Sequence, residues 1–427
     1  MSAPTSVTNK DSLLAALNSQ APNIEVIGVI DDLPSVRLHA GQSVVGKDSA
    51  AGLRFQPGIP GLMLHANNTV RSLQLWSDTT QIALGFTDET EDLGTITVSD
   101  IRTVGRFHLE AQNALKGDIK LANIHVAQAD ARMCAHRPQG FGVEVLMGGL
   151  TVYNSSKKSQ SRWNLQAQQL SGGSKEHPLR GSGIFIFGGD YIAPGTDPST
   201  APGPDTLGGQ IHLTDLTTGP VFSDGGIPAG VGNLITAGVF IGSGTIAEHV
   251  HCQGPVTTLN QNDMVLDNWG KVTHWQAGAP ITSQGPSGIG FVNFGALETL
   301  QVNAPITTHG LGARGFNLYD GSLGTAQFLS ITTHGDGAIG IQLSKPFGRI
   351  LVKENVTTHG GAGDSLVRGK VINLKAHAIS LKPGTQGKRL EVQGQAQALN
   401  PKIAALDLDG APNAIPEIWI AGQKIGG

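Results

Sequence analysis

The chain repeats Pro255-Val256-Thr257-Thr258 four more times at intervals of 25 residues, as Pro280-Ile281-Thr282-Ser283, Pro305-Ile306-Thr307-Thr308, Ser330-Ile331-Thr332-Thr333 and Asn355-Val356-Thr357-Thr358. A turn residue stands two positions after each segment: Asn260, Gly285, Gly310, Gly335 and Gly360. We interpret this column as a left-handed backbone position, which favours Gly and tolerates Asn. Short β-branched runs that end in Gly are typical of β-solenoids, whereas helical repeats carry amphipathic helices.

The fold that we predict is all-β: a single-stranded, right-handed parallel β-helix with about 25 residues per coil and a short N-terminal capping helix. Side chains alternate across a strand, and like positions of successive coils stack at about 4.8 Å. Two inward stacks form the predicted core, the first made of Val256, Ile281, Ile306, Ile331 and Val356, and the second of Leu266, Phe291, Phe316, Ile341 and Leu366. A flanking column holds Asn268, Asn293, Leu318, Leu343 and Arg368, whose two Asn side chains we expect to form a structural ladder.

The predicted domain organisation is a cap at residues 1–20 followed by a β-helix over residues 21–425. Residues 8–19 are predicted as a helix with Thr8 and Asp11 as its capping box, closing one end of the solenoid. Residues 417–420 are predicted as a last strand. A long loop is predicted at about residues 189–232, because residues 189–209 carry four prolines and three aspartates.

Composition and charge exclude some classes of function. The chain has 59 Gly, 15% charged residues and a net charge of -4, with no Lys/Arg cluster longer than a pair. This gives no electrostatic footprint for a phosphate backbone, so we expect no nucleic-acid partner. No segment reads as a signal peptide or a membrane span, so we expect no membrane partner and, by default, a cytoplasmic protein.

The two cysteines, Cys134 and Cys252, match no zinc-finger spacing and define no disulfide framework. We predict neither a metal nor a cofactor. The paired residues His249 and His251 are a weak metal signal, and the column His309, His334 and His359 favours a structural stack. Whether the chain forms a homo-oligomer is left open.

The opening pattern, a cap helix followed by Ile24-Glu25-Val26-Ile27-Gly28-Val29-Ile30 and the coils after it, resembles the pectate-lyase-like β-helix superfamily. The resemblance covers the architecture of nearly the whole chain. The ordered motifs of polygalacturonases and the pectate-lyase WxDH segment are missing, while other carbohydrate chemistries of such folds stay open.

An outward column of aromatic residues suggests a saccharide surface. Trp269, Phe294 and Tyr319 lie on successive coils, beside Asn317 on the neighbouring outward column. Exposed aromatic rings at this spacing would stack on sugar rings. The alternative is that the predicted loop covers them, since aromatic stripes are usually buried. The predicted substrate-binding residues are Trp269, Phe294, Tyr319, Asn317 and, from the loop, Tyr191.

Carboxylates near this column are the candidates for catalysis: Asp190, Asp224, Asp263 and Asp267. Glycosidic hydrolysis needs two carboxyl groups that flank the bond, and elimination beside a uronate needs a base. Asp263 and Asp267 would be roughly 13 Å apart on a regular strand, too far to act together, so we expect a partner such as Asp190 or Asp224.

The sequence thus supports two hypotheses from different classes. The first is a glycoside hydrolase or polysaccharide lyase that binds an oligo- or polysaccharide along the aromatic face. The second is a non-catalytic recognition solenoid of the adhesin, tailspike or scaffold kind. The regular coils of residues 254–369 favour the second hypothesis, and the Asp-rich segment before them favours the first.

Overall fold

The computed structural model describes residues 3–189, 207–367 and 370–425. Those residues contain one helix, Lys10–Asn18, and 42 strands, most of them in two long sheets of parallel strands. The chain is therefore all-β, with an architecture of the β-solenoid kind. No helix in the described part of the chain is long and apolar enough to cross a membrane.

The larger sheet has 25 strands. It carries two of the three strands in the regular coils and one long strand in the coils that contain Thr69–Trp76, Asp92–Val104, Lys116–Gln128 and Gln210–Asp224. Its strands are Thr5–Val7, Asn23–Val26, Val29–Leu33, Ser43–Gly46, Gly52–Phe55, Thr69–Trp76, Asp92–Val104, Lys116–Gln128, Arg162–Gly172, Leu179–Arg180, Gln210–Asp224, Thr245–Cys252, Val256–Thr258, Lys271–Ala277, Ile281–Ser283, Ala296–Val302, Ile306–Thr308, Ser322–Phe328, Ile331–Thr333, Pro346–Val352, Val356–Thr358, Gln386–Val392, Ala396–Ala398, Glu417–Ile420 and Gln423–Lys424.

The second sheet carries the third strand of each coil, and we call its outer surface the site face. Its main strands are Val36–Arg37, Leu62–Leu64, Ile82–Phe86, Arg106–Ala111, Gly148–Asn154, Ser182–Phe187, Leu234–Ile241, Asp263–Asn268, Ile289–Asn293, Arg314–Leu318, Ile339–Leu343, Ile379–Leu381 and Leu406–Asp407. Strand Val143–Val145 pairs with Gln139–Gly140 and with the start of Leu234–Ile241, and Ala362–Val367 with Lys370–Lys375 form a separate antiparallel hairpin.

The first predicted core stack is confirmed. Val256, Ile281, Ile306, Ile331 and Val356 are buried and pair in register from coil to coil. The stack continues to Val221 on one side and Ala396 on the other. The 25-residue period of the sequence is thus the period of the coils.

The second predicted stack is confirmed for four of its five members. Leu266, Phe291, Phe316 and Ile341 pair in register, but the next residue is Ile379 and not Leu366. Leu366 belongs to the hairpin, where its backbone pairs with Val371. The hairpin is an insertion that interrupts the 25-residue spacing.

The flanking polar column forms the expected Asn ladder. Asn268 and Asn293 are fully buried, and Asn268 Nδ2 donates to Asn293 Oδ1 at 2.8 Å. Asn293 Nδ2 in turn donates to the carbonyl of Gly295 at 2.9 Å. The column goes on through Leu318 and Leu343, and Arg368 lies outside the described residues.

The glycines of the predicted turn column, Gly285, Gly310, Gly335 and Gly360, lie at the turns, but a left-handed backbone is not the reason that glycine is needed there. The left-handed residues are two positions further on, at Asn262, Ser287, Gly312 and Gly337, with φ between 54° and 67°. Gly310 and its equivalents are required by close packing, since a Cβ there would lie 1.8 Å from the carbonyl oxygen of Gly285. Glycine is the residue that permits this approach of one coil to the next.

The N-terminal helix begins later than predicted. Its N-cap is Asn9, whose side chain accepts from the Ser12 amide while Ser12 Oγ accepts from the Asn9 amide, so the capping box is formed by these two residues and not by Thr8 and Asp11. Leu13 and Leu17 are buried in the main core. The helix therefore closes one end of the core, as expected.

Part of the predicted loop at residues 189–232 is a strand. Gln210–Asp224 spans 15 residues and pairs with Thr245–Cys252 and then with Val256–Thr258. The proline-rich part, residues 190–206, lies outside the described residues. The strand predicted at residues 417–420 is confirmed and pairs with Gln386–Val392, but it is not the last strand, since Gln423–Lys424 follows and pairs with it antiparallel.

Candidate functional site

Two outward columns of side chains run along the site face. The strand register places one column as His108, Thr151, Phe185, Phe240, Asp267, Val292, Asn317 and Gln342. The other contains Glu110, Tyr153 and Phe187 and continues, just after the later strands end, with Trp269, Phe294 and Tyr319. Both columns are polar at one end, apolar in the middle and mixed at the other end.

Residues 131–147, which we call the cover segment, lie over the apolar middle of the site face. The Phe141 ring is 5.0 Å from the Trp269 ring and 4.9 Å from the Phe294 ring, measured between centroids. A Cβ on Gly140 would lie 2.5 Å from the Trp269 indole, so only glycine fits there. Trp269 is 0% exposed, and the prediction that it forms part of an exposed surface is wrong.

An open cleft remains beside the cover segment, and we call it the aromatic cleft. Its volume is about 100 Å³. The half-buried rings of Phe294 and Tyr319 line it at a centroid distance of 4.8 Å and a tilt of 35°. Asn317 and Gln342 line it too, and Gln342 Nε2 lies 3.5 Å from Asn317 Oδ1. Three of the predicted substrate-binding residues therefore meet in one cleft.

Asp267 is enclosed by the protein. The residue is 0% exposed, and neither carboxylate oxygen has a hydrogen-bond partner among the described residues. Burial raises the pKa of Asp267 well above its ordinary value, and the Trp269 side chain opposes this shift. Asp267 is thus a buried acid and not a surface carboxylate.

Asp263 is also fully buried, but its carboxylate is saturated by the protein. One oxygen accepts from the backbone amides of Gly225 at 3.0 Å and Asn260 at 2.9 Å, and the other accepts from the Thr236 hydroxyl at 2.5 Å. Burial raises the pKa of Asp263 to about 6, although the three hydrogen bonds oppose the shift. These contacts join the start of the strand Asp263–Asn268 to the turn before it, to Gly225 and to the strand Leu234–Ile241.

Asp224 lies next to Asp263, as the sequence predicted for a carboxylate partner. Both aspartates bind Asn260: Asn260 Nδ2 donates to Asp224 at 3.2 Å, and the Asn260 amide donates to Asp263. Asp224 also forms an ion pair with Arg180 and accepts from the Gly226 amide at 2.8 Å. Asp190 and Tyr191, predicted as a further carboxylate and a further aromatic, lie outside the described residues.

A second cleft, which the sequence reasoning missed, lies on the other side of the cover segment. Its volume is about 380 Å³, and its polar lining includes Arg106, His108, Glu110, Cys134 and His136. His108 Nε2 lies 2.9 Å from the Glu110 carboxylate, and Arg106 donates to the Cys134 thiol at 3.0 Å. The alternation His108-Leu109-Glu110 on one strand was the signal that could have found this pair.

The electrostatics of this second cleft favour a neutral thiol. Burial pushes the pKa of Glu110 up, but the hydrogen bond and charge of His108 outweigh it, so the net shift is downward. Burial raises the pKa of the Cys134 thiol, which Arg106 partly opposes. Cys134 is therefore a weak nucleophile in this environment.

The described residues contain no group of three or more His, Cys, Asp or Glu side chains that could hold a metal ion. His249 stacks on His274 at a centroid distance of 5.2 Å. His309, His334 and His359 stack at 4.8 and 4.5 Å, and burial with the neighbouring imidazoles lowers the pKa of His334. The predicted structural histidine stack is confirmed.

Comparison of the chain with protein-family models, with curated proteins and with solved structures gave no match.

Proposed function

We propose that the chain binds an oligo- or polysaccharide at the aromatic cleft. The observation that carries this proposal is the pair of half-buried rings, Phe294 and Tyr319, beside the amide side chains of Asn317 and Gln342. Aromatic rings supply apolar faces for sugar rings, and amides supply hydrogen-bond donors and acceptors for hydroxyl groups. Such a mixture of apolar walls and a few polar groups is typical of ligand sites.

Recognition without catalysis is the reading that the geometry supports best. Hydrolysis of a glycosidic bond needs two carboxyl groups with access to the bond. Among the described candidates, Asp263 is saturated by three hydrogen bonds, Asp224 is paired with Arg180, and Asp267 is enclosed. We therefore favour a recognition solenoid of the adhesin, tailspike or scaffold kind.

A glycoside hydrolase or polysaccharide lyase is the second candidate, favoured by one observation. Asp267 has the strongly raised pKa that a general acid needs at neutral pH. Catalysis would require a movement of the cover segment that brings this carboxyl into contact with a bound sugar. The roles of Asp190 and Tyr191 stay predictions.

We further propose that the solenoid is a right-handed β-helix of the pectate-lyase-like superfamily. Two features support this: the three parallel strands of each regular coil, and an N-terminal helix that packs on the core. Parallel strands of one sheet joined by a crossover connection are right-handed in nearly all proteins.

A panel of neutral and acidic oligo- and polysaccharides, screened for retention and for products, tests the proposed function. Recognition predicts that at least one saccharide is retained and that neither reducing ends nor unsaturated uronates form. Product formation, abolished by Asp267→Asn, would establish the enzyme instead. Retention of no saccharide would contradict both readings.

A further inference from the structure

A single charged residue interrupts an apolar column on the site face. Register places Ala237, Met264, Ile289, Arg314 and Ile339 one above another. Arg314 is 5% exposed, and its strand neighbours Ile289 and Ile339 are 7% and 1% exposed. The guanidinium of Arg314 therefore lies in apolar surroundings at the wall of the aromatic cleft.

No carboxylate among the described residues pairs with Arg314. Its Nη1 donates to the Gly312 carbonyl at 2.6 Å and to the Ser365 hydroxyl at 2.8 Å, and both of these partners are neutral. Its Nε is buried and has no hydrogen-bond partner in the described part of the chain. Burial lowers the pKa of Arg314 to about 10, so the side chain is still charged at neutral pH.

A buried charge without a counter-charge is unfavourable, and proteins usually pair such groups. The two contacts of Arg314 use Nη1 and leave Nε without a partner in the described part of the chain. Because Nε is enclosed, a ligand engages the edge that carries Nε and Nη2 only when the side chain turns towards the cleft. That edge matches the two oxygens of a carboxylate or of a sulfate through parallel hydrogen bonds. The cleft, with a volume of about 100 Å³, offers room for a carboxylate or sulfate substituent beside Arg314.

We propose that Arg314 is a specificity-determining residue that binds an anionic substituent, a carboxylate or a sulfate ester, of a sugar stacked on Phe294 and Tyr319. This inference rests on the proposed saccharide function and adds the charge of the ligand to it. The anionic group of the ligand supplies the counter-charge that Arg314 lacks among the described residues.

The test compares three sugars that share one ring: glucose, glucuronate and glucose 6-sulfate, titrated by ligand-observed NMR. We expect the wild-type chain to bind at least one of the two acids about tenfold or more tightly than glucose. Arg314→Met should lose this preference and bind the three sugars with similar affinity. The matched control Ser365→Ala removes the contact to the hairpin but keeps the charge, and it should keep the preference.

Equal affinity of the wild-type chain for the three sugars would overturn this inference alone, and so would a preference that survives in Arg314→Met. Binding of none of the three would overturn the proposed function itself. If Arg314→Met does not fold, Arg314→Lys decides the question, because lysine keeps the charge without the planar fork. A lysine variant with the full wild-type preference for the carboxylate would contradict the assigned geometry.

Discussion

The aspartates that drew attention in the sequence have different environments in the structure. Asp263 accepts hydrogen bonds from two backbone amides and a hydroxyl, and Asp224 forms an ion pair with an arginine. The carboxylate oxygens of Asp267 have no hydrogen-bond partner in the described part of the chain. A carboxylate that is fully engaged by backbone donors stabilises the fold and has little capacity left for a substrate. Asp263 is therefore best treated as a structural residue.

Two substitutions at Asp263 separate the contribution of its hydrogen bonds to stability from the contribution of its charge. Asp263→Ala leaves the buried amides of Gly225 and Asn260 without an acceptor, and we expect it to lower the free energy of unfolding by about 2 to 4 kcal/mol. Asp263→Asn can accept from the same amides and donate to Thr236, so we expect a much smaller loss. Chemical denaturation measures both, and equal losses would show that the hydrogen bonds contribute little.

The stability of the wild-type chain relative to Asp263→Asn should depend on pH. The pKa of Asp263 is raised from 3.8 to about 6 in the folded state. Its contribution to stability is therefore fully present below pH 3.8 and is lost as the pH rises through about 6. As the pH rises across that window, the free energy of unfolding of Asp263→Asn should increase relative to that of the wild type, by about 3 kcal/mol at most. Unfolding curves recorded at several pH values measure this difference. A constant difference would contradict the raised pKa.

At the scale of residues, the sequence could place side chains on a face but could not reveal what covers that face. Phe294, Tyr319 and Asn317 meet as predicted because the 25-residue register brings them together. Trp269 obeys the same register but is buried by Phe141, which lies more than a hundred residues earlier in the chain. No local pattern encodes that long-range contact. Arg314 is a charge in a 25-residue column with Met264, Ile289 and Ile339, but the same spacing also reaches Asp364, which the structure places in the hairpin.

At the scale of elements, the repeating strands were predictable and the insertions were not. Strands repeat because each coil packs on its neighbour with the same apolar pattern. The hairpin Ala362–Val367 and Lys370–Lys375 follows the last repeated segment directly and carries no break that marks it as an insertion. The N-cap was misplaced by one residue because Thr8 and Asn9 are both good N-cap residues.

The capping helix offers a test at this scale. Asn9→Ala removes the side chain that accepts from the Ser12 amide, and we expect it to lower the free energy of unfolding by about 1 kcal/mol. Asn18→Ala, at the exposed other end of the same helix, is the matched control and should change little. Thermal unfolding of the two variants makes the comparison, and an equal effect would contradict the assigned cap.

At the scale of the whole molecule, the solenoid should tolerate the loss of one complete coil. Deletion of residues 281–305 joins Pro280 to Ile306 with every column kept in register. We expect this variant to fold and to unfold at a lower temperature, since it loses one set of contacts between coils. Deletion of residues 282–305 is the control: the shift of one position turns inward side chains outward, and we expect no folded protein. Circular dichroism and thermal melts distinguish the two, and equal behaviour would contradict the register.

The whole molecule also explains why the proposed ligand site lies where it does. The site face is polar at one end and mixed at the other, and the cover segment occupies its apolar middle, so clefts open on either side. The aromatic cleft lies on the most regular coils, where rigid strands hold Phe294 and Tyr319 in place. A fixed surface of this kind suits recognition, because little ordering is needed when a ligand binds.

The most direct test of saccharide recognition at the aromatic cleft is a calorimetric titration of the best ligand from the panel into two matched variants. Phe294→Ala removes a ring of the cleft, and Phe222→Ala removes a half-buried ring from the strand Gln210–Asp224 of the larger sheet. We predict that Phe294→Ala binds about tenfold more weakly than the wild type and that Phe222→Ala binds as the wild type does. An unchanged affinity of Phe294→Ala, in a variant that is folded, would contradict the proposed site.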